Sequence, residues 1–169
     1  PYVWACISLK DKERRGNPAS YSPQLYLLID EKYIRYGFCY GDYISNDDHF
    51  VKDFIDDDHL PQRVKGIVDT NSNFDYYSVD NEGVIEIPKD KVSISSYSEL
   101  KNNWGAGFHL AGAISPNQVN EKSLENIKEN LLKISPIFKE ICELRPLAEN
   151  NESIIDVDVF KDSIKEYID

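Results

Sequence analysis

Residues 24 to 40 read QLYLLIDEKYIRYGFCY, and the parsing of this stretch decides the fold. Two runs rich in Leu, Ile, Tyr and Phe, residues that suit a pleated, half-buried surface, flank Asp30, Glu31 and Lys32. Three polar residues make a tight reversal, so strands at 24–29 and 33–40 are expected to form an antiparallel hairpin. In the second strand a period of two places Ile34, Tyr36, Phe38 and Tyr40 on one face, and Tyr33, Arg35, Gly37, Cys39 and Gly41 on the other. The aromatic face is expected to be core. The two glycines leave the opposite face open to close approach by another backbone, a helix or a ligand.

The same alternation extends outward. Residues 2–9, YVWACISL, form a first strand whose aliphatic set, Val3, Ala5, Ile7 and Leu9, is expected to face the core. Trp4 then shares the other face with Tyr2, Cys6 and Ser8, where its ring needs a second layer or a ligand. Downstream, SNDDHFVKDFIDDDHL (45–60) carries Phe50, Val51, Phe54 and Ile55 at helical spacing and reads as an acidic amphipathic helix capped by Ser45 or Asn46. A second hairpin is expected from 74–79 and 84–87 around Asp80, Asn81, Glu82 and Gly83. Residues 97–103 fit helix or strand equally, and FHLAGAI (108–114) reads as a last strand. From Ser123 the positions Leu124, Ile127, Leu131, Ile134, Phe138 and Ile141 follow a three-four spacing, predicting a helix that kinks or restarts at Ser135-Pro136. A final helix is expected over 157–168. The pattern predicts an α+β fold: a small, mostly antiparallel sheet or barrel with surrounding helices.

At 169 residues the chain suits one domain with a sizeable core, and the absence of methionine suggests a piece of a longer protein. No run of about 18 apolar residues and no secretion signal is visible, so a cytoplasmic protein without a membrane segment is expected. Cys6, Cys39 and Cys142 are odd in number, far apart and set in apolar patterns, which predicts buried reduced thiols. The net charge of -11 argues against general nucleic-acid binding, which draws on Lys and Arg that displace counterions from phosphates. Its distribution is uneven: residues 1–40 hold six basic against four acidic side chains, whereas 41–60 hold one against seven. The basic residues Lys10, Lys12, Arg14 and Arg15 cluster on a loop at 10–22, able to approach phosphates or simply to be solvated.

Catalytic patterns find little support. The cysteines lie away from an obvious base, and His49 and His59 are ten apart, which fits no zinc motif. DTNSNFDYYSVD (69–80) offers Asp69, Asn71, Asn73, Asp75 and Asp80 at calcium-loop spacing, but has Phe74 where the turn needs glycine. Glu99-Leu100-Lys101 is the one E-x-K, a match too short to predict a nuclease. No catalytic residue, metal or cofactor is therefore expected. Recognition through aromatic rings remains. Trp104, followed by Gly105 and Gly107 and preceded by Asn102 and Asn103, reads as a loop tryptophan. The residues alone leave open whether Trp4 and Trp104 face one another across a pocket and grip a planar base, with Ser8, Asn102 and Asn103 at its edge. The alternative is that both indoles are core and that the acidic helix docks a basic protein.

Four segments carry a resemblance in their order along the chain: VWACIS (3–8), PQLYLLIDEKYIRYGFCYG (23–41), NNWGAGFHLAGAI (102–114) and SLENIKENLLKI (123–134). They resemble the first strand, Pro-led hairpin, cage-tryptophan stretch and C-terminal helix of YTH-type domains. These are PUA-like readers of N6-methyladenine, found in a YTH-like form at the N-terminus of McrB-type restriction proteins. The resemblance implies a non-enzymatic specificity domain that binds DNA bearing a methylated base, flips that base out and stacks it between Trp4 and Trp104. Lys12, Arg14 and Arg15 would hold phosphates. It further implies a GTP-hydrolysing motor in the same chain and a nuclease subunit as partner. RNA is the alternative ligand for the same fold.

Overall fold

The computed structural model describes residues 3–8, 22–41, 44–78, 91–105 and 107–143. The hairpin that opens the sequence reading is its centre: β2 (Pro23–Ile29) pairs antiparallel with β3 (Ile34–Tyr40), with Leu27 opposite Tyr36. The reversal is built by Asp30. One carboxylate oxygen accepts the backbone N–H groups of Lys32 and Tyr33, each at 2.8 Å, and the other binds the Arg35 guanidinium. An aspartate that closes its own turn in this way needs no glycine at the reversal.

Four more strands extend the sheet. β1 (Val3–Ser8) pairs with β2, β6 (Phe108–Ile114) with β3, β4 (Asp75–Ser78) with β6, and β5 (Lys91–Val92) with β4. The order is β1-β2-β3-β6-β4-β5 and every pair is antiparallel. Of the expected sheet or barrel, it is the open sheet that forms. Gly37 permits the central junction, because a Cβ there would lie 2.0 Å from the Leu110 carbonyl oxygen of β6. The close neighbour expected at this glycine is thus a strand backbone.

Helices cover one face. The core joins Leu25, Leu27, Ile29, Ile34, Phe38 and Leu110 of the sheet to Val51, Phe54, Leu100, Ile127, Leu131 and Ile134 of the helices. α1 (His49–Asp56) is shorter than the acidic run that predicts it, and its N-cap is Asp48 rather than Ser45 or Asn46. The Asp48 carboxylate accepts from Phe50 N at 3.1 Å. A second helix, α2 (Leu60–Thr70), absent from the sequence expectation, starts on Asp57, whose carboxylate accepts from His59 N and Leu60 N at 2.7 and 2.6 Å. Residues 97–103 resolve as α3 (Tyr97–Asn103), capped by the Ser96 hydroxyl, which accepts from Glu99 N at 3.2 Å. α4 (Glu121–Glu143) runs without the restart expected at Pro136. The Leu132 carbonyl, which loses its partner because proline has no N–H, accepts instead from the Ser135 hydroxyl at 3.0 Å.

A buried polar chain ties three elements together. Asn71, after α2, donates from Nδ2 to Asn130 Oδ1 of α4 at 2.9 Å, and Asn130 Nδ2 donates to the Tyr36 hydroxyl of β3 at 3.1 Å. Among the described residues no helix is long and apolar enough to cross a membrane. The strand expected at 84–87 and the helix expected at 157–168 lie outside the described residues.

Two glycine substitutions check this packing in opposite directions. Gly37→Ala forces β3 and β6 apart and is expected to cost about 1–3 kcal/mol or more. At Gly66 in α2 a Cβ meets nothing within 4 Å, so Gly66→Ala is expected to stabilise by about 0.5–1 kcal/mol. Urea denaturation of the two variants measures both; equal effects would contradict the packing described.

Candidate aromatic recognition face

The sheet sorts the two tryptophans onto opposite faces, so the expected pair facing one another across a pocket does not form. Trp104 lies in the helix-covered core, 3% exposed. Its ring stacks on Phe54 at 3.8 Å and 13° and on Phe38 at 5.5 Å and 18°. Its indole N–H donates to the Tyr40 hydroxyl at 2.6 Å, which in turn donates to the Phe50 carbonyl at 3.1 Å. No ring face remains for a base. The glycines that made Trp104 read as a loop residue have other reasons: Gly107 has φ 79°, a conformation few other residues adopt, at the turn into β6, and a Cβ at Gly105 would lie 2.2 Å from Asn46 Oδ1. Asn102 and Asn103 sit exposed on α3, where Asn103 Nδ2 donates to the Glu99 carbonyl at 2.8 Å.

Trp4 is on the other face. It is 39% exposed on β1, and its ring stacks on Tyr26 with centroids 4.8 Å apart and planes within 2°. Tyr26 is fully buried, and its hydroxyl lies 3.2 Å from His109 Nδ1 on β6. The His109 ring stands edge-on to Tyr26 at 87° and 5.4 Å. Cys39, Tyr77, Ala111, Leu28 and Cys6 complete this second cluster. Ser8, half-buried at the end of β1, shares the face by alternation, so of the residues expected at the pocket edge it alone lies on Trp4's side. Lys12, Arg14 and Arg15 lie outside the described residues.

The electrostatics of the face follow from burial. The Tyr26 hydroxyl is pushed well above its ordinary value, by burial first and by Cys39 second. His109 is pulled down to about 3, again by burial first and by the nearby Arg35 guanidinium second. A neutral phenol therefore meets a neutral imidazole at neutral pH. Arg35 is itself lowered by burial, and its partner is Asp30, the residue that closes the β2–β3 turn. Burial raises the Cys6 thiol, and a side-chain hydrogen bond with Trp4 pulls it partly back.

The other candidate sites dissolve into structural roles. In the calcium-like stretch, Asp69 pairs with Lys65 at 2.8 Å, Asp75 with Lys91 at 2.6 Å, and Asn71 belongs to the buried chain with Asn130. In the E-x-K stretch, the Glu99 carboxylate accepts from the Ser95 N–H and hydroxyl, both at 2.6 Å, and Lys101 reaches Asp58 at 3.4 Å. Of the acidic run at 47–58, Asp48 caps α1, Asp57 accepts from the Leu60 N–H at the start of α2, and Asp47 and Asp58 pair with Lys52 and Lys101. Sequence reasoning missed Tyr26 and His109. Alternation through QLYLLI and FHLAGAI holds the signal, since both positions fall on the face of Gly37 and Cys39 once the strands are paired.

No protein-family model, curated protein or solved structure matches the chain. The likeness to YTH-type readers thus rests on the four segments quoted from the sequence.

Two measurements check the division of faces. Trp104→Ala is expected to cost about 3–5 kcal/mol in urea denaturation, and Trp4→Ala about 1 kcal/mol, the worth of an exposed ring stack. The fold holds His109 neutral, so between its ordinary value of 6.5 and its folded value of about 3 the unfolded chain binds the extra proton. Stability from this group is complete above about pH 6.5 and falls with acidification at up to about 1.4 kcal/mol per pH unit. His109→Gln should remove that slope from a denaturation series between pH 4 and 8; an unchanged slope would contradict the neutral, buried imidazole.

Proposed function

We propose that this domain binds modified DNA, with N6-methyladenine the favoured base, and stacks the flipped base on Trp4. The observation that carries the reading is a single one: a half-exposed indole on the edge strand, backed by a buried tyrosine lying parallel to it. A large aromatic left open on a domain that buries its other tryptophan has little packing reason to be there.

The energetics set what the remaining contacts must do. Stacking one base on an aromatic contributes about 1–3 kcal/mol, comparable to the few kcal/mol that unstacking costs. Affinity then depends on phosphate contacts, for which Lys12, Arg14 and Arg15 in the chain's basic quarter are the candidates. A methyl group buried against the ring adds roughly 0.8 kcal/mol and favours the modified base. Trp104 has no part in this arrangement, so the recognition site is a platform rather than a cage of two tryptophans. In keeping with the resemblance, the domain is the specificity module of a modification-dependent McrB-type restriction system. A GTP-hydrolysing motor in the same chain and a nuclease subunit supply the catalysis, and this domain is not itself an enzyme.

A binding screen tests the reading. At one stated salt concentration, the domain is titrated with matched duplexes that are unmodified, N6-methyladenine-containing or 5-methylcytosine-containing, and with the matched RNA. The expected result is tightest binding to N6-methyladenine DNA and a loss of about five- to a hundredfold in Trp4→Ala, the equivalent of one base stack. Binding that Trp4→Ala leaves unchanged would overturn it, and preference for RNA would replace the ligand.

A further inference from the structure

Trp4 sits on the edge strand with its ring nearly half-exposed, a position where an indole ordinarily samples several rotamers. Here its plane matches that of Tyr26 to within 2°. Tyr26 is in turn held at both ends. Its backbone belongs to β2, whereas its hydroxyl reaches His109 Nδ1 on β6 at 3.2 Å. Because β3 lies between those strands, the phenol must cross it. It does so beside its register partner Gly37, which has no side chain to obstruct the ring. The width of the sheet and one hydrogen bond fix the long axis of the phenol, the edge-on His109 ring and complete burial fix its rotation about that axis, and Trp4 lies parallel to the result.

We infer that Tyr26 and His109 are positioning residues, which never touch a ligand but hold the Trp4 ring in one orientation ready to receive a planar base. The inference rests on the proposed base-stacking role of Trp4 and adds to it the reason that the platform is preformed. A ring oriented beforehand spares binding the entropy of ordering it, an advantage of roughly two- to tenfold in affinity. His109 suits this role because, neutral at physiological pH, it forms an uncharged hydrogen bond that depends little on salt. Gly37, the register partner of Tyr26, also admits the β6 backbone.

The test uses the chain labelled with 5-fluorotryptophan, which has two fluorine resonances, assigned through Trp4→Phe. Spectra are recorded without DNA for wild type, Tyr26→Phe, His109→Leu and His109→Gln. Tyr26→Phe keeps the stacking ring and removes the hydroxyl, and His109→Gln keeps a hydrogen-bonding partner. The expected result is a narrow Trp4 line in wild type and His109→Gln, and a broadened or split line in Tyr26→Phe and His109→Leu, with the Trp104 line unmoved throughout. The same two disrupted variants should bind the N6-methyladenine duplex roughly two- to tenfold more weakly, with His109→Gln restoring affinity. A Trp4 line indifferent to both Tyr26→Phe and His109→Leu overturns the positioning. Movement of the Trp104 line along with it assigns the effect to general loosening and overturns it equally. A wild-type protein that binds none of the duplexes overturns the proposed function and leaves the spectra to judge the positioning by themselves.

Discussion

The whole arrangement depends on the strict alternation of side chains along β2 and β3. Each residue of this hairpin must point to one face or the other, so Leu25, Leu27, Ile29, Ile34, Tyr36, Phe38 and Tyr40 go to the helices, and Gln24, Tyr26, Leu28, Arg35, Gly37 and Cys39 go to the opposite side. A shift of one residue in register would exchange the two sets, place an arginine and a glutamine in the apolar core, and lose most of the burial that holds α4. Asp30 guards against that shift. It closes the turn through two backbone N–H groups and grips Arg35, five residues along, tying the turn to β3.

The two faces built in this way have different chemistry. The helix-covered face is sealed by rings and aliphatic side chains, and two polar pairs within it, Tyr40 with Trp104 and Asn71 with Asn130, are hydrogen-bonded internally. The opposite face gathers a phenol, an imidazole, a guanidinium and thiols around small residues at Gly37 and Ala111. Buried polar groups of this kind are costly unless each finds a partner, and partnered they hold rigid geometry. Trp4 is where that rigid interior meets solvent. Under the proposed function a base stacks there, and the rest of the face supports the ring.

Much of this was legible in the sequence. The hairpin was, because alternation and a polar three-residue reversal coincide in one short stretch, and the side of the sheet occupied by Trp4 followed from YVWACISL by the same rule. Trp104 was not. The short helix before it, YSELKNN, buries a single apolar side chain, Leu100, so periodicity had nothing to detect. The glycine that gave it the look of a loop residue is required by backbone geometry. α2 escaped because Asp57, whose carboxylate accepts the N–H groups of His59 and Leu60 at its start, is embedded in an acidic run that reads as a continuation of α1, although Pro61 in the first turn and the spacing of Leu60, Val64, Ile67 and Val68 were present. The uninterrupted course of α4 turned on the Ser135 hydroxyl, a local substitution for a missing N–H that no hydrophobic pattern encodes.

The central claim is that one indole is presented and the other sealed, on opposite faces of one sheet. The most direct measurement is the pair of indole N–H signals in a nitrogen-15 correlation spectrum, recorded with a soluble paramagnetic agent and again after transfer to deuterated water. The account predicts that the Trp4 signal is bleached by the agent, whereas the Trp104 signal, hydrogen-bonded to Tyr40 inside the core, resists both bleaching and exchange. Two signals bleached and exchanged alike would contradict it.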